Sequence, residues 1–183
     1  MKILYKKHQT TRKPPKNIKK EDLPLFQQEF TKEIRDSHVL KLSKVFLLND
    51  NIVEVKNKIN YKEYTQISKL PLKLKLKRLL RWFLINTSKK RTIENGVWII
   101  DNWSNEYFHW LTDALPRLIA SESVDSNVPI LLPESFKSVN YITESLRIFG
   151  RDIIFYNPSQ KIEVNRLILP SYTANTGNYN KLI

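Results

Sequence analysis

The chain contains no cysteine, so disulfides, thiolate metal knuckles and thiol catalysis are excluded. Its 183 residues include only 3 glycines, too few for the glycine-rich loops that cradle phosphates, and no GxGxxG, P-loop, HExxH, G-x-S-x-G or D-x-D motif occurs. No run of 18 apolar residues exists to span a bilayer. The start, MKILYKKHQTTRKPPKNIKK, is positively charged but lacks the apolar stretch of a signal peptide. These absences predict a cytoplasmic protein whose chemistry needs no metal.

What is abundant is positive charge, and it lies in one half. Residues 1–91 carry 24 Lys and Arg against 8 Asp and Glu, whereas residues 92–183 carry 7 against 10. A local surplus of this kind suits an anionic partner surface. Residues 1–37 read as a basic, partly disordered arm in which Pro14 and Pro15 forbid a helix. Residues 69–91 hold nine Lys and Arg and no acid. Within them Lys73, Lys75 and Lys77 alternate with leucines, and Arg78 and Arg81 flank an apolar run containing Trp82 and Phe83. This basic amphipathic pattern fits peripheral contact with an anionic inner-membrane surface; the alternative is a packed strand or helix with lysines reaching outward. Nucleic acid is disfavoured as the partner, because no helix-turn-helix, zinc finger or aromatic RNA-binding strand pattern is present.

From residue 38 the pattern is that of a folded domain. Val45–Leu48 and Ile52–Val55 flank Asn49-Asp50-Asn51, which predicts a β-hairpin. Buried strands are expected at Val97–Ile100, Pro129–Leu132, Ile153–Tyr156 and Arg166–Leu169, with helices over 105–122 and 138–149 between them. Ser104 or Asn102 is positioned to cap the first helix and Ser138 the second, with Gly150 at its C-terminal stop. Strands alternating with helices predict an α/β fold, a Rossmann-like parallel sheet covered by helices.

The segment WIIDNWSNEYFHWLTDALPRL, residues 98–118, carries the candidate chemistry. It runs from the end of a buried strand into a helix, and the carboxyl ends of such strands form the ligand crevice in open α/β sheets. Asn105, His109 and Asp113 recur every four residues and share a helix face. Phe108, Leu111, Leu115, Leu118 and Ile119 form the apolar stripe expected to bury against the sheet. Pro116 must kink the helix and free the Thr112 carbonyl. His109 is a candidate proton acceptor for a hydroxyl nucleophile, with Asp113 either orienting it or taking the proton itself. Asn102 stands at the strand end, and Trp103, Tyr107 and Trp110 are candidate flat platforms for sugar rings. The alternative is a structural His–Asp pair among core aromatics.

The run N-x-x-x-H-W-x-x-D-x-L-P-R-L, carried by Asn105, His109, Trp110, Asp113, Leu115, Pro116, Arg117 and Leu118, resembles the N-terminal signature of glycosyltransferase family 61. The segments PILLPESFKSVNYITESLRIFG and RLILPSYTANTGN are similar to the strand and helix that follow it and to the strand leading to the hinge. The resemblance covers roughly residues 38–183. It implies an inverting, nucleotide-sugar-dependent transferase of capsule, lipopolysaccharide or other surface polysaccharide, built from two Rossmann-like halves of GT-B type. Residues 38–183 then correspond to the acceptor-side half, and a glycan or glycolipid acceptor is the implied partner. The family's donor-binding half is not found in the sequence, which stops where the linker is expected; the resemblance therefore implies a truncated gene, a fragment or one half of a split enzyme, and the isolated chain is expected to be inactive. By the same resemblance His109 and Asp113 line the cleft, with Asn102, Trp103, Asn105, Tyr107 and Arg117 as substrate-side candidates. Asn105 and Arg117 suit holding the helix in place.

Overall fold

The structure is a computed structural model that describes residues 1–48, 52–54, 89–174, 180, 181 and 183. Lys73, Lys75, Lys77, Arg78, Arg81, Trp82 and Phe83 lie outside the described residues, as does the expected turn at Asn49–Asn51.

The protein is α/β. One mixed sheet takes β1 (Lys2–Tyr5), β4 (Ser37–Leu48), β9 (Lys161–Pro170), β6 (Lys90–Val97), β7 (Ile130–Pro133) and β8 (Ile153–Tyr156) in that spatial order, and β5 (Ile52–Glu54) pairs with β4. β9, β6, β7 and β8 are mutually parallel, while β4 runs antiparallel to β9, β1 and β5. A separate antiparallel ribbon joins β2 (His8–Thr11) to β3 (Thr31–Ile34), with helix α1 (Leu23–Phe30) between them. Helix α2 comprises an α-turn at Tyr107–His109, a π-helical turn at Trp110–Ala114 and an α segment at Leu115–Glu122. Helix α3 is Asn140–Arg147.

The expected hairpin is present as β4 and β5, with Phe46 opposite Glu54 and Leu48 opposite Ile52. Strands β7 and β8 fall within one residue of their expected positions. Every residue of β7 is buried, as are Leu167–Pro170 at the end of β9. Continuous burial of this kind marks strands covered on both faces. The core gathers Val39, Val45 and Leu47 from β4, Trp98–Ile100 after β6, Leu118 from α2, and Ile142 and Leu146 from α3.

Several expectations differ from the structure. Residues 1–37 carry β1, β2, α1 and β3. Their buried residues, such as Thr10 and Ile34, come singly and leave no apolar run in the sequence. The strand expected at Val97–Ile100 instead runs over Lys90–Val97, and its exposed, charged first half carries no apolar signal in the sequence. It leaves the ladder after the Trp98 amide donates to the Ile168 carbonyl at 3.0 Å. Neither Ser104 nor Asn102 caps α2, whose N-cap is Glu106. Ser138 does not cap α3 either: the N-cap is Val139, and the Ser138 hydroxyl donates to the Ser135 carbonyl at 3.2 Å. Gly150 does stand at the stop after α3, with φ 58°.

Candidate functional site

β6 has β7 on one side and β9 on the other, although β7 follows it directly and β9 comes last. The carboxyl end of β6 is therefore a point where the chain's neighbours diverge, the place where open α/β sheets form a crevice. Two loops leave it: Asp101–Ser104 after β6 and Ser171–Thr173 after β9.

The first loop is fixed by a buried carboxylate. Asp101 Oδ1 accepts from the Trp103 amide at 2.8 Å and from the Ser104 hydroxyl at 2.9 Å, while the Asp101 amide donates to Ser104 Oγ at 2.8 Å. Aspartate favours such loops because its short side chain reaches the backbone two residues on. Asp101 and Ser104 are buried, and Asn102 and Trp103 are pushed outward. From the second loop, Tyr172 donates its phenolic hydrogen to Asp101 Oδ2.

Helix α2 rises from this loop. The Leu115 amide donates to the Trp110 carbonyl five residues back, closing the π turn. That turn lies just before Pro116, whose ring would crowd the Thr112 carbonyl in a regular α-helix. The expected kink is thus realised as a widened turn, a feature that recurs at functional sites.

The turn presents His109 and Asp113 together. Nδ1 of His109 and Oδ2 of Asp113 are 2.8 Å apart; Asp113 is buried, while 21% of the His109 side chain is exposed. Burial pushes the Asp113 carboxyl above its ordinary value of 3.8. The hydrogen bond from His109 opposes that rise, the Asp101 charge adds to it, and the charges of His109 and Arg117 oppose it. The imidazole is flanked by the rings of Trp103 at 5.8 Å and Phe108 at 5.5 Å between centroids.

Arg117 is fully buried, donates Nε to the Pro170 carbonyl at 3.0 Å, and sets its guanidinium 4.9 Å from the Tyr172 ring centre. It braces α2 against the end of β9, so it stands behind the exposed surface as a support. Burial, with Asp101 beside it, pushes the Tyr172 phenol well above its ordinary 10.0, although Arg117 opposes this. Tyr172 therefore remains a hydrogen donor at neutral pH.

The helix buries only part of the stripe the sequence suggests: Leu118 is buried and Leu115 packs on the core. Trp110, Asp113, Ala114, Arg117, Leu118 and Ser121 face inward, whereas Phe108, Leu111 and Ile119 are exposed. Trp110 is thereby removed from the candidate sugar platforms. It is buried, and its indole donates to Ser145 Oγ at 2.9 Å. Trp103 and Tyr107 remain outside, at 51% and 60% exposed. Asn105 is exposed, and its carbonyl accepts from the Tyr141 hydroxyl, tying the loop to α3. Sequence reasoning missed Tyr172 and the role of Asp101. The available signal was that both are polar residues just past the ends of two expected buried strands.

No family model, curated protein or solved structure matches the chain. Among the described residues no group of three or more His, Asp or Glu is placed to hold a metal ion, and no helix is long and apolar enough to cross a membrane.

Proposed function

We propose that this chain is the acceptor-side half of an inverting, nucleotide-sugar-dependent glycosyltransferase of the family 61 type, acting in the synthesis of a surface polysaccharide, capsule or lipopolysaccharide. The observation that carries the reading is the His109–Asp113 pair, with a buried carboxylate 2.8 Å from Nδ1 and the imidazole partly open beside Trp103.

In this reading the Nδ1 hydrogen of His109 is donated to Asp113, which leaves the Nε2 lone pair as the base. An acceptor hydroxyl gives its proton to Nε2 as its oxygen attacks the anomeric carbon of the donor. The bond from that carbon to the nucleotide's diphosphate oxygen breaks, and the diphosphate leaves with the electron pair. The imidazolium formed is stabilised by Asp113. The acceptor ring stacks on Trp103, whose ring centre lies 5.8 Å from that of His109, with the exposed Tyr107 as a second platform. The donor is bound by a second α/β half, which the family resemblance implies.

Saturation-transfer NMR with methyl glycosides of common hexoses and pentoses tests the acceptor side without needing the donor half. Binding that disappears in Trp103→Ala and Tyr107→Ala is the expected outcome. If no glycoside binds, or if binding ignores both substitutions, the proposal fails.

A further inference from the structure

We infer that α1 and the basic segment before it form a docking surface for an anionic lipid bilayer. The inference is independent of the sugar-transfer reading and uses none of its residues.

Helix α1, LPLFQQEF, buries none of its eight residues. A helix this short is not stable in water on propensity alone, and helices in folded domains ordinarily owe their stability to an apolar face packed on a core. Here the apolar side chains point out: Leu25 is 77% exposed, Phe26 47%, and Leu23 is also exposed. The helix is held in place at its C-terminal end. The Arg12 amide donates to the Phe30 carbonyl at 2.7 Å, and β3 continues directly from Phe30 into the ribbon with β2.

The segment that leads into this apolar surface is cationic. Residues 1–20 hold eight Lys and Arg and no acid, and Lys13, Lys16, Lys19 and Lys20 are exposed. Charged and apolar surface meet in one groove of about 360 Å³, lined by Arg12 and Lys13, by the acidic Asp22 and Glu29, and by Ile18, Phe26 and Phe30, so the cationic surplus comes from the lysines before the helix. Leucine and phenylalanine projecting among lysines is the chemistry that enters a headgroup layer, with the cations drawn to anionic lipid. A nucleic acid would use the lysines but has no use for an exposed Leu25, so the bilayer is the better fit.

The test is co-sedimentation of the full chain with phosphatidylglycerol–phosphatidylcholine vesicles and with pure phosphatidylcholine vesicles. Binding to the anionic vesicles is expected, weakening as salt rises. Leu25→Ser with Phe26→Ser is expected to reduce it by roughly tenfold or more; circular dichroism confirms that this variant folds, since neither side chain is buried. Equal binding to neutral vesicles overturns the inference. So does unchanged binding by the double variant, as would follow if Trp82 and Phe83 alone were responsible. Salt-sensitive retention of random duplex DNA without vesicle binding also overturns it.

Discussion

Tyr172 and Asp101, 71 residues apart in sequence, share a hydrogen bond across the carboxyl ends of the adjacent parallel strands β9 and β6. The phenol is held protonated by its surroundings, and the carboxylate it serves is buried. Tyr172→Phe keeps the ring beneath Arg117 but leaves Asp101 Oδ2 without this donor. An expected loss of about 1–3 kcal/mol follows from a buried acceptor losing its partner. Urea unfolding of the two proteins measures it, and an unchanged midpoint would show that the bond contributes nothing to folding.

Asp113 gives a pH prediction of definite sign. Its folded-state pKa is raised above 3.8, chiefly by burial. Below 3.8 the carboxyl is protonated in both states and has no effect on pH dependence. Above 3.8 the unfolded chain ionises first, so the folded state holds more protons and stability falls as pH rises, until the folded carboxyl also ionises. Asp113→Asn removes that descent. The variant's unfolding free energy should be flatter with pH just above 3.8, with stability at neutral pH at least equal to the parent's. If the reading of His109 as base is right, the same variant in the assembled transferase loses activity by roughly 10²–10⁴-fold. A parent curve without the descent would count against a desolvated carboxyl at this position.

The parts of this fold that could be read from sequence are those with a dense local signal. Ile130–Pro133 and Ile153–Tyr156 are unbroken apolar runs, and the hairpin has its turn residues between two β-prone runs. The Asp101–Tyr172 contact could not be read in this way, because it depends on β9 returning to lie beside β6, and nothing local to either loop encodes that return. The buried face of α2 was misplaced in part, for another reason. Hydrophobicity assigns Asp113 and Arg117 to solvent, yet each is buried with a partner, His109 for one and the Pro170 carbonyl for the other. Of the candidate site, the His109–Asp113 pairing was legible from its four-residue spacing and the family resemblance gave Arg117 as a residue that holds the helix, as its bond to the Pro170 carbonyl does, while the support from Asp101 and Tyr172 was not legible.

Gly96 illustrates a constraint at the junction of β6 and β7. The two strands meet through one residue pair, Val97 opposite Ile130. A Cβ added at Gly96 would lie 2.3 Å from Cγ of the buried Leu131 and within 2.6 Å of both its methyls. The whole Leu131 side chain would have to move within a filled core. Gly96→Ala should therefore destabilise by about 1–3 kcal/mol, the usual cost of overpacking. Combining it with Leu131→Ala should recover part of that loss in thermal unfolding, giving a non-additive pair. Additive losses would mean that the contact does not limit packing.

Lys44 supplies the opposite case, a substitution expected to stabilise. It lies in the middle of β4 with φ 52°, a left-handed conformation that costs a side chain about 1–2 kcal/mol and costs glycine little. The ladder with β9 skips it, since Ser43 pairs with Arg166 and Val45 with Val164. Lys44 is exposed, so its side chain has little packing to lose, although its charge lies near Glu163. Lys44→Gly should raise the unfolding free energy by about 1 kcal/mol. Lys44→Ala removes the same charge but keeps the Cβ, so it should show no such gain. The difference between the two variants isolates the backbone contribution from the charge. Equal stability in both would mean that β4 relaxes out of the left-handed conformation at no cost.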